Sequence, residues 1–217
     1  MPYFPMFIDM EEKECVIIGG GLVAYRKVEA LLEFGARITL VARNICNEIE
    51  NLADRIQIKI KHYESADIEQ ADVVIAATND KDLNTRISRE AKERKIPVNV
   101  VDVLEECTFI FPAYLKKGDV TIGITSSGKS PIMSQRIKKI IDKALPPFLE
   151  ELTNTLGNVR QIVKNLFPKE EQRKRVLRKI VDKGFLNQGR VAEEDIETII
   201  EEEKQLQANG GRYEQNN

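Results

Sequence analysis

The chain has 217 residues, 42% of them hydrophobic and 31% charged, enough to bury a sizeable core. Its 33 Lys and Arg against 35 Asp and Glu leave a formal net charge of -2, which gives no general electrostatic reason to bind nucleic acid. Three cysteines without a CxxC pair, no apolar run near the ~18 residues that span a bilayer and no basic-then-apolar leader point to a reducing, cytoplasmic compartment and no membrane.

The first element is Cys15-Val16-Ile17-Ile18, an apolar strand that runs into three glycines and then a helical pattern with Ala24, Val28, Leu31 and Leu32 on one face. The turn reads Gly19-x-Gly21-x-x-Ala24, a dinucleotide-binding fingerprint in this strand–turn–helix setting. Gly19 permits the turn, Gly21 lets the backbone approach a pyrophosphate, and Ala24 lets the helix sit close to the strand. The turn as a whole, Leu22 and Val23 included, is expected to contact the cofactor through the free N–H groups and partial positive charge of a helix N-terminus.

Strands are next expected at 37–41, 56–60 and 72–77, the last ending in the polar turn Thr78-Asn79-Asp80 before a helix over 81–94. A fifth strand covers 97–101 and a sixth 108–111. Alternating strands and helices imply a Rossmann-type, doubly wound parallel α/β sheet over 1–112. Ligands of such sheets lie beyond the strand carboxyl ends, so Gly19–Ala24, Thr78–Asp80 and Asn99–Asp102 are expected to share a crevice. A small α+β segment follows over 113–146, with a strand at 120–125 and a helix from Pro131. A helical domain over 147–207 (helices near 148–166, 169–183 and 192–206) and a disordered tail over 208–217 complete the chain.

Asp102, ending the fifth strand, is a candidate general base, with a turn-forming Asp as the alternative. The segment Ser126-Ser127-Gly128-Lys129-Ser130-Pro131 lacks the Walker A spacing. It suits anion binding through backbone N–H groups, or plain capping by Ser130 with Pro131 in the first helical position. Lys129, Arg136, Lys138 and Lys139 either face an anionic ligand or form a solvated helix face. His62 is the single histidine and has no clustered ligands, so no dedicated metal site is expected.

These blocks together resemble the siroheme-synthase dehydrogenase/ferrochelatase family, also called precorrin-2 dehydrogenase. The resemblance rests on YFPMFIDMEEKECVIIGGGLVAYRKVEALLEFGA, VVIAATNDKDLN, PVNVVD, FIFPA and TIGITSSGKSPIMSQRIKKII, in family order over about residues 3–145. It implies NAD-dependent oxidation of precorrin-2 to sirohydrochlorin in siroheme biosynthesis, with Fe2+ insertion in some members, Fe2+ being a substrate. It also implies Asp102 as the catalytic carboxylate and Thr78, Asn79, Asn99 and Val101 as further cofactor contacts. Ser126, with Lys129, Ser130 and Arg136, would meet the substrate's carboxylates, and the chain would be a homodimer. The fused methyltransferase region does not follow, so the standalone form is expected.

Where an NAD-selective site often places an acid, about 20 residues past the glycines, this chain has Val41-Ala42-Arg43-Asn44. Arg43 is therefore a further cofactor contact, and it leaves NADP open. A nucleotide-sensing regulatory module and a tetrapyrrole carrier or chelatase with an idle nucleotide site are the competing readings.

Overall fold

Four consecutive apolar residues, Cys15–Ile18, are buried in strand β1 (Glu14–Ile18) of the computed structural model, which describes residues 3–214, with side chains to residue 208. Next come α1 (Leu22–Leu32), β2 (Arg37–Ala42), the one-turn α2 (Asn47–Glu50), β3 (Gln57–Ile60), β4 (Val73–Ala76), α3 (Lys81–Glu93) and β5 (Val98–Val100). The five strands form one sheet in the order β3-β2-β1-β4-β5, every pair parallel. Strands covered on both faces need unbroken apolar runs rather than alternation, and β1 and β4 are such runs.

Two packing layers hold the sheet. On one face Ala24, Val28 and Leu31 of α1, spaced i, i+4, i+7, meet Ile17, Leu40, Ile49 and Ile75. On the other, Ile87 and Ala91 of α3 meet Val16, Ile18, Val74 and Val98. Truncating a fully buried member such as Leu40 to Ala costs about 2–5 kcal/mol. A Schellman-type bond from Ala36 N to Leu31 O (3.2 Å) ends α1. The Asp80 carboxylate accepts from Leu83 N (3.0 Å) and begins α3.

The sixth strand expected at 108–111 is not a strand. The chain turns at residues 101–102, passes through a short 3-10 turn at Leu104–Glu106 and returns beside β5. There one backbone bond, Thr108 N to Val98 O (2.8 Å), is joined by side-chain bonds: Thr108 Oγ1 accepts from Val98 N (2.8 Å), and the Asn99 amide donates to Phe109 O (3.1 Å).

The chain divides between Phe111 and Pro112 into two compact units. The second opens with an antiparallel hairpin, β6 (Ala113–Lys117) and β7 (Val120–Ile124); the sequence reading had only its second strand. Then follow α4 (Pro131–Ala144), α5 (Leu149–Leu166), α6 (Glu170–Leu186) and α7 (Glu193–Glu214). The last three pack through Val159, Val163, Phe167, Val176, Ile180 and Ile200. Residues 113–146, expected as a separate segment, fall with these helices in one unit. Backbone expected to be a disordered tail from residue 208 continues as helix to Glu214; residues 215–217 lie outside the described residues.

Candidate dinucleotide site

The strand order reverses at β1: the chain runs outward through β2 and β3, then resumes on the other side with β4 and β5. Crevices at such points, beyond the strand carboxyl ends, are where open α/β sheets take ligands. In register, Ile18 pairs with Val41 and Ala76, and Ala76 with Val100. The Gly19 turn, Arg43, Thr78 and Asp102 therefore follow the strand ends of a single sheet edge, so the three polar clusters share that edge as expected.

The three glycines differ in what they allow. Gly19 has φ +127, and a Cβ there would meet Ala77 O at 2.2 Å. A Cβ on Gly20 would meet Asn44 O at 2.0 Å. These two let the turn press against neighbouring backbone, and Gly20 was not singled out from the sequence. Gly21 is the opposite case, since nothing lies within 4 Å of a Cβ built on it. It is also the N-cap of α1 and offers no side-chain cap. Backbone N–H groups at this helix start thus stand beside open space, with Leu22 and Val23 exposed and Ala24 fully buried under them. A pyrophosphate fits such an arrangement, where free donors and the positive end of the helix dipole meet an unfilled volume.

Arg43 is exposed, one residue past the end of β2. Thr78 is held by a residue that the sequence reading missed, the buried Asn84 of α3. The Asn84 Oδ1 accepts from Thr78 Oγ1 (2.7 Å) and Thr78 N (3.3 Å), and its Nδ2 donates to Thr78 O (2.9 Å). A polar residue at a buried helix position was the available signal. Asn79 is exposed next to this latch. Val101 is half-buried and donates its N–H to Ala76 O (3.0 Å). Asn99, expected among the cofactor contacts, is itself buried, and its amide ties the returning segment 107–109 to β5.

Asp102 is exposed in a left-handed conformation, φ +62, in the turn that closes with Val103 N to Val100 O. Asp and Asn are the side chains that best tolerate this backbone. Cys107 braces the turn. Its thiol lies 3.2 Å from both Val100 O and Val103 O and accepts from Val100 N at 3.2 Å. Burial pushes that thiol above its ordinary value. Lys27 of α1, half-buried, has its Nζ 3.7 Å from the centre of the Phe111 ring. Loss of solvation lowers its ammonium to about 8, against the opposing pull of Cys107 and Asp102.

In the second unit, Ser127 and Gly128 are both left-handed (φ 54 and 79), which folds residues 125–130 into a tight loop. Ser126 Oγ accepts from Ser130 N (2.9 Å), and Ser130 Oγ caps α4 through Met133 N (3.2 Å). The capping alternative is therefore present. Lys129 and Arg136 are exposed, whereas Lys138 sits over the Tyr114 ring at 5.5 Å. His62 is exposed, and no group of three or more metal-ligating side chains occurs among the described residues. Likewise, among them no helix is long and apolar enough to cross a membrane.

Sheet order, glycine turn and open helix start define the first unit as a Rossmann-type NAD(P)-binding unit, and a family model described as "Putative NAD(P)-binding" matches residues 6–113. Siroheme synthase of Ruthia magnifica subsp. Calyptogena magnifica is 33% identical over 208 residues, 93% of this chain and 44% of that protein. Siroheme synthase of Ectopseudomonas mendocina (strain ymp) is 38% identical over 174 residues, 80% of this chain and 38% of that protein. The solved structure "SirC, precorrin-2 dehydrogenase" shares the fold with a TM-score of 0.71 at 21% identity, over 94% of this chain and 100% of that one. The chain belongs to the siroheme synthase family and spans less than half the length of these curated relatives.

Proposed function

We propose that this chain is an NAD-dependent dehydrogenase that oxidises precorrin-2 to sirohydrochlorin in the cytoplasm. The observation that carries the reading is Asp102. It is an exposed carboxylate in a braced left-handed turn, at the carboxyl end of the strand next to the one that follows the glycine turn's own strand in the sheet. The relatives' names supply the substrate class.

The oxidation removes a hydride from carbon and a proton from the tetrapyrrole. Bound NAD+ supplies the hydride acceptor. Gly21 and the N–H groups of Leu22–Ala24 hold its pyrophosphate, with Arg43, Thr78, Asn79 and Val101 along the same edge. Asp102 takes the proton and passes it to water, which its exposure permits. In the second unit, taken by itself, Ser126, Lys129, Ser130 and Arg136 offer hydroxyls and cations of the kind that bind carboxylates, the groups a tetrapyrrole substrate carries. The exposed apolar side chains of α4 (Ile132, Met133, Ile137 and Ile140) support a homodimer, since patches of this kind mark contact surfaces.

The test is an anaerobic absorbance assay with enzymatically generated precorrin-2. Sirohydrochlorin is expected with NAD+ and not without it. Fe2+ added afterwards as substrate reads out metal insertion against the uncatalysed rate. No sirohydrochlorin with either NAD+ or NADP+ overturns the reading.

A further inference from the structure

Asn84 is buried on the face of α3 that it shares with Ile87 and Ala91. An amide on such an apolar face is costly unless its groups are paired. Asn84 pairs with Thr78 at three points. Its Oδ1 accepts from Thr78 Oγ1 (2.7 Å) and Thr78 N (3.3 Å), and its Nδ2 donates to Thr78 O (2.9 Å). Both donors of Thr78 are thus engaged within the protein. Asp80 closes the same circuit, its N–H donating to Thr78 Oγ1 (3.1 Å) and its carboxylate capping α3 at Leu83 N.

This latched turn lies against the glycine turn. Ala77 N donates to Ile18 O (2.7 Å), and a Cβ built on Gly19 would meet Ala77 O at 2.2 Å and Thr78 N at 3.2 Å. Past Ala77 the turn makes no further backbone bond to a neighbouring strand among the described residues, and the Asn84 side chain holds it instead. In sheet order β4 stands between β1, which leads into the glycine turn, and β5, which leads to Asp102. Two strand spacings are about 10 Å, so a ligand that reaches from one turn to the other crosses the end of β4.

We propose that Asn84 is a positioning residue for the dinucleotide, its hold on Thr78 fixing the floor over which the nicotinamide half passes from the glycine turn toward Asp102. The proposal rests on the reading of this edge as the NAD site of a dehydrogenase. A floor that moves is in the right place only part of the time, and affinity falls by that fraction. The adenosine half runs the other way, from the glycine turn toward the end of β2 and Arg43, and does not cross β4. Cutting the latch therefore weakens one half of the ligand and spares the other.

The test compares wild type with Asn84→Ala, Thr78→Val and the double variant, measuring NADH affinity by fluorescence and ADP affinity by calorimetry. Ile87→Val, a core truncation on the same face of α3, controls for lost stability alone. Asn84→Ala is expected to lose about tenfold in NADH affinity with ADP affinity unchanged, and Ile87→Val to change neither. Thr78→Val removes one of the three bonds at constant shape and decides the matter if Asn84→Ala does not fold. It should show the same split to a smaller extent. The double variant should be no weaker than Asn84→Ala, because both changes cut one latch. Unchanged NADH affinity in Asn84→Ala or Thr78→Val, equal losses for NADH and ADP, or additive losses in the double variant overturn the proposal while leaving the dinucleotide site in place. Wild type that binds no NADH or no ADP overturns the reading of the site, and the role of Asn84 with it.

Discussion

The Cys107 thiol stands 3.2 Å from the carbonyl oxygen of Val103 and 3.2 Å from that of Val100, so a single side chain clasps both flanks of the turn that presents Asp102. Exposed turns of one or two residues wander unless something pins them. Cys107→Ala is expected to lower stability by about 1–2 kcal/mol through the lost contacts. It should also reduce turnover while leaving dinucleotide affinity unchanged, because the glycine turn is on a different strand. Steady-state kinetics with a parallel urea titration check this. Equal losses in affinity and turnover would show that the thiol supports the whole sheet edge instead.

Gly20 and Gly21 are neighbours with opposite surroundings. Gly20→Ala drives a Cβ to 2.0 Å from Asn44 O and should destabilise the unit by about 1–3 kcal/mol, as overpacking does. Gly21→Val meets open space and should fold normally yet lose dinucleotide affinity by tenfold or more. Thermal melts and NADH fluorescence separate the two. Normal affinity in Gly21→Val would make the turn structural only.

Arg43 is an exposed cation one residue past β2, where an acidic side chain would hold the ribose hydroxyls of NAD. Arg43→Asp is expected to shift the NAD/NADP preference toward NAD by about tenfold, roughly the value of one charge-assisted contact. The ratio of kcat/KM for the two cofactors measures it, and an unchanged ratio removes Arg43 from cofactor selection.

Lys27 also makes stability depend on pH. Its folded value of about 8 lies below the ordinary 10.5, so the unfolded chain binds more proton between these values. Stability therefore rises with pH across this window, and the cost of burying the ammonium is fully present below pH 8. Lys27→Met should be more stable than wild type at neutral pH, with the gap narrowing as pH approaches 10.5. Urea midpoints at two pH values test this. A gap that does not narrow would mean the ammonium is better solvated than its surroundings indicate.

In the helical part of the second unit, Arg175 reaches the fully buried Glu203 through two bonds, Nε to Oε2 at 3.1 Å and Nη2 to Oε1 at 2.5 Å. Arg175→Ala leaves a buried carboxylate alone and should cost about 2–4 kcal/mol. Arg175→Ala combined with Glu203→Leu should recover most of the loss. If the single variant melts like wild type, water replaces the guanidinium.

The glycine turn, the parallel sheet and the strand ends bearing Thr78 and Asp102 were legible in the sequence because each rests on local pattern. An apolar run followed by small residues and a 3.6-residue period can form little else. Segment 108–111 read as a strand because Phe109, Ile110 and Phe111 are apolar and bulky. In the fold, Thr108 N makes a backbone bond to Val98 O and the Asn99 and Thr108 side chains supply further bonds to β5, so the segment lies beside the sheet without forming a strand, an outcome set by contacts ten residues apart. The tail beyond residue 208 read as disorder from its Gly and Asn content, yet α7 carries the helix to Glu214.

The sequence by itself determined the class of this protein, since periodicity, turn glycines and motif order are one-dimensional. Tertiary structure alone decided which residues support the site. Asn84 latching Thr78, Cys107 clasping the Asp102 turn and Lys27 resting on Phe111 lie 6, 5 and 84 residues from their partners. None is encoded by a spacing rule. Each exists because a buried polar group must find its partner wherever the fold brings one within reach.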